Sequence, residues 1–306
     1  MTDTERPEGT AWQDKPYLKY YAEWTPHSLE YTDDTMAKLL DRTVAAHAND
    51  DILDFFGQTM TYGDFLKQVK SVAAGLRELG VRSGDRVAVT LPNCPQHLIT
   101  IFAAHKLGAT VAEHNPLYTA RELEGPCKDH AAKVAVVWDK IAPMFQELSR
   151  TTPIEKVVSV NMIEAMPLVK RLALKLPIKS LKEKREQLHG EAPGTIPFSQ
   201  LQSAKFGGDG ADLENCPETN QDSPAFILFT SGTTGKPKGA QLTHGNVMSN
   251  VVQGQSWISG IGERGQEKFL AALPLFHIYG LTLTAALAVS TAVSYTHLRA
   301  HETGRN

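Results

Sequence analysis

The chain has 306 residues, 42% of them hydrophobic and 21% charged, with a formal net charge of −3. That length can bury a sizeable core, in two subdomains packed as one unit, and the charge balance gives no support to a nucleic-acid partner, which would need a basic face. Three well-separated cysteines (Cys94, Cys127 and Cys216) argue for reduced thiols in the cytoplasm and against a disulfide framework or structural zinc. The polar opening MTDTERPEGTAWQDKPYLKYY lacks the apolar stretch of a secretory signal, and no run reaches the roughly 18 apolar residues that cross a bilayer.

Residues 1–49 read as an irregular lead-in. A helix is expected over 61–79, with Thr61 as cap, Asp64 at the capping-box position, and Phe65, Val69, Val72, Ala73, Leu76 and Leu79 at helical spacing. Gly80 supplies its stop. A strand over 86–91, a helix over 95–107 ended by Gly108, a strand over 109–112, a helix opened by Thr119 and Glu122, and a strand over 133–138 come next. Such alternation points to an α/β unit, 50–160, with a largely parallel sheet.

Residues 161–221 differ. Lys170, Arg171, Lys175, Lys179, Lys182, Lys184 and Arg185 alternate with leucines, and residues 190–221 read as a loop rich in Gly, Pro, Asp and Asn. The first part reads as an amphipathic surface excursion with a solvated charged face. A membrane-surface helix is the alternative, weakened by Pro167 and Pro177, which break any single long helix.

A short apolar strand, 223–229, runs into Thr230-Ser231-Gly232-Thr233-Thr234-Gly235-Lys236-Pro237-Lys238-Gly239. Glycines let backbone N–H groups approach phosphate oxygens, the hydroxyls of Thr230, Ser231, Thr233 and Thr234 add hydrogen bonds, and Lys238 adds a compact charge. A Walker A loop does not fit: Thr230 stands five positions before Gly235, where that motif has Gly, and Pro237 comes directly after Lys236. Residues 240–242 then read as a strand and 245–252 as a helix capped by Thr243. The order strand–loop–strand–helix argues against a P-loop enzyme.

The same loop, with Leu242-Thr243-His244 after it, resembles the signature of the adenylate-forming superfamily. Two further stretches agree: residues 272–280 (ALPLFHIYG), and Lys106-Leu107-Gly108-Ala109 through Asn115-Pro116-Leu117-Tyr118-Thr119. The resemblance runs from about residue 54 to 288, and NPLYTARELE with the Leu- and Lys-rich insertion is most similar to bacterial long-chain fatty acid–CoA ligases. It implies an α/β fold, the large N-terminal domain of the adenylate-forming architecture, with two β-sheets sandwiched by helices and the phosphate loop in a second subdomain, 222–292. It also implies the substrates ATP, a fatty acid and coenzyme A, with Mg²⁺. By resemblance, Thr230, Ser231, Gly232, Thr233, Thr234, Gly235 and Lys238 bind the triphosphate, Thr230 contacts Mg²⁺, Lys238 and His277 are catalytic, and His277, Tyr279 and Gly280 line the acyl pocket. The 272–280 motif contains no acid to pair with an ammonium, so the substrate is expected to lack an α-amine. The apolar run 281–289, taken alone, reads as helix core. An aryl- or medium-chain acyl-CoA ligase, and a non-catalytic nucleotide-binding scaffold, stay open as alternatives.

The family's later segments (a Tyr-Gly-x-Thr-Glu stretch, a ribose-binding Asp, and the small C-terminal domain with its lysine) are not found in these 306 residues, which are therefore expected to be inactive alone. Residues 293–303 (VSYTHLRAHET) read as one frame of a transposase sequencing adapter, so 293–306 is expected to be a non-native tail. His297, His301 and Glu302 lack the HExxH order and are not taken as a metal site.

Overall fold

The computed structural model describes residues 15–203, 218–230, 236–261, 268–292 and 294–297. After a 3-10 turn at Pro16–Tyr20, helix α1 (Met36–His47) forms because Met36, Leu39, Leu40 and Val44 recur at helical spacing and are all buried. This corrects the irregular lead-in expected for 1–49. Strands β1 (Asp51–Phe55) and β2 (Gln58–Thr61) make a hairpin turned at Phe56 and Gly57, both at positive φ.

Helix α2 (Tyr62–Glu78) begins where the Thr61 hydroxyl accepts the Asp64 N–H at 3.2 Å. It stops before Gly80, whose φ of 98° a side chain rarely adopts. Then come β3 (Arg86–Thr90), α3 (Pro95–Lys106), β4 (Thr110–Glu113), α4 (Ala120–His130) and β5 (Val134–Trp138). The alternation expected from sequence is present, with boundaries shifted by a residue or so. Residues 95–105 of α3 are buried on every side, as a helix apolar nearly all round must be. Its Phe102 meets Phe65 of α2 edge to face at 5.8 Å.

Helix α5 (Ala142–Leu148) leads to β6 (Lys156–Val160). The basic stretch forms two short helices, α6 (Leu168–Ala173) and α7 (Lys179–Leu188), neither with a buried residue. Residues 190–221, expected to be a loop, contain β7 (Ile196–Pro197) and α8 (Phe198–Leu201), because Phe198 and Leu201 find places in the core. Next are β8 (Pro224–Thr230), β9 (Lys238–Thr243) and α9 (His244–Ile258), which runs well past the 245–252 expected. Strand β10 (Lys268–Leu270) precedes α10 (Ile278–Gly280), which continues as a π-helix (Leu281–Leu287) and α11 (Ala288–Ser290). Strand β11 (Ser294–His297) lies in the expected tail.

The strands form two sheets. One has the order β7-β6-β5-β3-β4-β8-β9, parallel except for the antiparallel β8–β9 pair. The other has the order β10-β11-β1-β2. The sheets therefore do not follow the division at 50–160 and 222–292: β8 and β9 complete the sheet begun by β3–β6, while β1, with β2 on its other side, pairs with the late strand β11. Central β5 is buried at all five positions, as a parallel strand covered on both faces should be.

Candidate active site

In a parallel sheet, ligands bind beyond the carboxyl ends of the strands. Here those ends carry Thr90, Glu113, Trp138, Val160 and Thr230. Strand β8 is buried over Ala225–Leu228, then surfaces at Thr230. Strand β9 returns beside it, exposed at its first four positions. The register sets Thr230 opposite Lys238, so the base of the signature loop is two exposed polar residues facing each other across a hairpin. Ser231, Gly232, Thr233, Thr234 and Gly235 lie outside the described residues.

The Thr230 hydroxyl donates to the Lys238 carbonyl at 3.4 Å. With its proton so engaged, its lone pairs are left for a cation or a donor. Together with the exposed ammonium of Lys238, this donor set suits a polyphosphate and its metal. The hairpin is held in place by the start of α9. Thr243 and Asn246 cap that helix reciprocally, with Asn246 N–H donating to the Thr243 hydroxyl (3.2 Å) and Thr243 N–H to the Asn246 side-chain oxygen (3.0 Å).

Phe229 anchors the hairpin from below, stacked on His114 (5.4 Å between ring centres) and edge-on to His130 (6.1 Å). The Nε2 atoms of the two imidazoles are 3.0 Å apart. His130 Nδ1 accepts the Ala132 N–H, so its proton sits on Nε2 and is donated to His114. His114 then carries its own proton on Nδ1, a buried atom with no partner among the described residues. Cys127 completes a cluster of three buried groups whose ligand atoms fall within 4.8 Å. A metal on His130 Nε2 would move that proton to Nδ1, against the Ala132 N–H, so this proton arrangement does not suit a metal. Burial lowers the pKa of His130 to about 4, puts His114 well below the usual histidine range, and raises the Cys127 thiol to about 12.

A second buried pair lies nearby. His97 Nε2 is 3.0 Å from both Glu113 oxygens, with neither side chain exposed. Burial raises the Glu113 pKa, opposed by His97.

The 272–280 motif is fastened by Asn93, just after β3. Its side-chain N–H groups donate to the carbonyls of Ala271 (3.0 Å) and Leu273 (2.8 Å), and its oxygen accepts the Leu275 N–H (2.8 Å). His277 is the exposed N-cap of α10, its ring 4.8 Å from that of Phe276. Gly280 is buried so tightly that a Cβ would stand 2.1 Å from the Pro274 carbonyl oxygen. Ile278 and Tyr279 face a cavity of about 890 Å³ between the 21–31 segment, α9 and the π-helix. Thr282, Leu283 and Leu287 also line it, so the run expected to be helix core is both helix and cavity wall. His277, Gly280, Thr230 and Lys238 are not among its lining residues.

Asn93, His97, Glu113 and His114 were not singled out from sequence. The signal was present: each is a polar residue at, or just past, the carboxyl end of an apolar strand or at the start of the helix after it. Cys94 and Cys127 are buried free thiols, and Cys216 lies outside the described residues.

Comparison with known proteins gives a consistent result. The model for the AMP-binding enzyme family matches residues 40–302, beginning before residue 54 and taking in part of the tail set apart on sequence. A long-chain-fatty-acid–CoA ligase of Bacillus subtilis (strain 168) is 30% identical over 269 residues, 88% of this chain and 47% of its own length. One from Escherichia coli O6:H1 is 30% identical over 256 residues, 83% of this chain and 45% of its own length. Among solved structures, a long-chain-fatty-acid–CoA ligase from Archaeoglobus fulgidus superposes with TM-score 0.65 at 25% identity, covering 90% of this chain and 49% of that one. The chain thus spans about half the length of the curated relatives it matches. With the sheet order, the hairpin and the 272–280 loop in place, this chain belongs to the AMP-binding enzyme family.

Proposed function

We propose that this chain carries the phosphate-handling part of a ligase that activates a long-chain fatty acid as its acyl-adenylate and passes the acyl group to coenzyme A in the cytoplasm. The observation that carries the reading is the β8–β9 hairpin, which sets Thr230 and Lys238 face to face at the root of the signature loop. The relatives named above, long-chain fatty acid–CoA ligases by name, support the substrate class.

The fatty acid carboxylate attacks the α-phosphate of ATP, forming an acyl–phosphate bond while the bond to pyrophosphate breaks. The coenzyme A thiol, losing its proton, then attacks the acyl carbon and AMP leaves. Two anions meet in the first step, so catalysis is mostly positioning and charge neutralisation. Lys238 and the hydroxyls of Ser231, Thr233 and Thr234 hold the β- and γ-phosphates. Thr230 offers its lone pairs to Mg²⁺, which when bound supplies further charge neutralisation. Asn93 fixes the loop that presents His277, while Tyr279 and Gly280 shape the acyl side of the site. The cavity beside Tyr279 has the volume of a small-molecule site, with aliphatic Ile278, Leu283 and Leu287 in its wall.

The test is acyl-CoA formation by the full-length parent across a chain-length series that includes aryl acids. Highest kcat/KM with long-chain acids is expected. A preference for aryl or medium-chain acids transfers the assignment to those ligases, and nucleotide binding without turnover of any acid leaves a scaffold.

A further inference from the structure

The proposed chemistry makes no use of the basic segment between β6 and β7. Seven basic residues there, Lys170, Arg171, Lys175, Lys179, Lys182, Lys184 and Arg185, outnumber the four acids Glu164, Glu183, Glu186 and Glu191, in a chain whose net charge is −3. Five large aliphatic side chains stand in water within the same stretch: Leu168 (64% exposed), Val169 (79%), Leu172, Leu176 and Ile178. Single exposed apolar residues are ordinary, but five within eleven positions make a patch.

The segment is docked to the rest of the molecule. Leu174 is buried, Lys170 donates to the Phe56 carbonyl, and the Trp138 indole N–H donates to the Leu188 carbonyl at 3.0 Å. The exposed aliphatics are thus held outward on a fixed support. Leu168, Leu172 and Leu176 recur every four residues, with Val169 beside them, so α6 and the turn after it present one stripe. The break at Pro177 splits the stretch into two short helices, which shortens either one without removing the stripe.

We infer that this surface seats the protein on an anionic lipid bilayer. Plain aliphatic side chains flanked by lysines are what a headgroup–acyl boundary accepts, the stripe entering the apolar layer while the lysine stems reach back to phosphates. A soluble acidic partner would account for the charge but not for the aliphatic stripe. The surface also leaves the phosphate hairpin clear. Between β6 and β8 lie β5, β3 and β4, four spacings or about 19 Å across the sheet.

Vesicle flotation of this chain tests the inference, comparing phosphatidylcholine alone with phosphatidylcholine containing about one-third phosphatidylglycerol. Wild type is expected to float with the anionic vesicles and to stay in solution with the neutral ones. L168D/V169D/L172D and K175E/K179E/K184E should each lower the bound fraction on the order of tenfold or more. Ile261→Asp, at an exposed apolar position elsewhere, should not change it. Thermal unfolding of each variant reads out folding, and all the substituted positions are exposed. Equal flotation on both vesicle types, or flotation of folded variants at the wild-type level, overturns the inference. So does binding to soluble polyglutamate in the absence of vesicle binding, which assigns the surface to an acidic protein instead.

Discussion

The Thr230–Lys238 pair that ends the β8–β9 ladder and the imidazole pair packed against the neighbouring Phe229 are built on opposite terms. Thr230 and Lys238 are exposed. His114 and His130 are buried and held neutral by the loss of water around them. The exposed pair holds charge that a ligand can meet, while the buried one can hold none without disturbing the fold. Chemistry and scaffolding are therefore separable here by substitution, and also by pH.

The largest expected effect is on the buried pair. His105 and His244 form a second such pair, with rings 5.0 Å apart and pKa values lowered by burial to about 3 and about 4. Above pH 6.5 all four rings are neutral in both the folded and the unfolded chain, and stability is complete. As pH falls below 6.5 the unfolded chain takes up protons that folded His105, His130 and His244 refuse until pH 3–4, and that burial keeps from His114 as well, so stability is lost across that window. Each ring contributes a loss of up to about 1.4 kcal/mol per pH unit. Urea unfolding at pH 7 and pH 5 should differ by several kcal/mol, and an unchanged midpoint would break the comparison.

Next comes Lys238→Ala in the full-length parent. Adenylate formation should slow on the order of 10²–10³-fold, with the thioester step far less affected and stability within about 0.5 kcal/mol of wild type. Single-turnover rates lowered equally in both steps would contradict the role given to this lysine. The smallest effect is expected from Asn93→Ala, which removes three hydrogen bonds from the 271–275 loop at a local cost of about 1–3 kcal/mol. Hydrogen exchange at the Leu275 amide should speed up on the order of tenfold or more, while the amides of Phe226 and Ile227 in β8 hold their protection. Loss of protection in both places would mean that the loop and the sheet are not independent.

Much of the fold was legible because its signals are local. Thr61 with Asp64 and Thr119 with Glu122 mark helix starts by chemistry acting over three residues, and the apolar runs at 86–91 and 133–138 mark strands. Helix α1 has an equally regular pattern at Met36, Leu39, Leu40 and Val44, but it lies next to a stretch that reads as irregular. Sheet membership was not legible. That β1 pairs with β11, or that β8 lies beside β4, depends on contacts between residues more than a hundred positions apart. At the site, residues 230–239 stood out as a dense pattern of Gly, Ser, Thr and Lys, of which 231–235 lie outside the described residues. Asn93 was not, because its partners are backbone groups some 180 positions away. His114 looked like any histidine until Phe229 and His130 were placed against it.

Gly280 restricts how this site can change over evolutionary time. Its Cα hydrogen already fills the space beneath the Pro274 carbonyl, so even one added methyl must pull the turn away from the helix it starts. Under the proposed assignment of this turn to the acyl side of the site, new substrate preferences are closed off at this position and open at its neighbours. Ile278 and Tyr279 can be exchanged for larger or smaller side chains without touching the turn, and selection for a different acid should leave its record there.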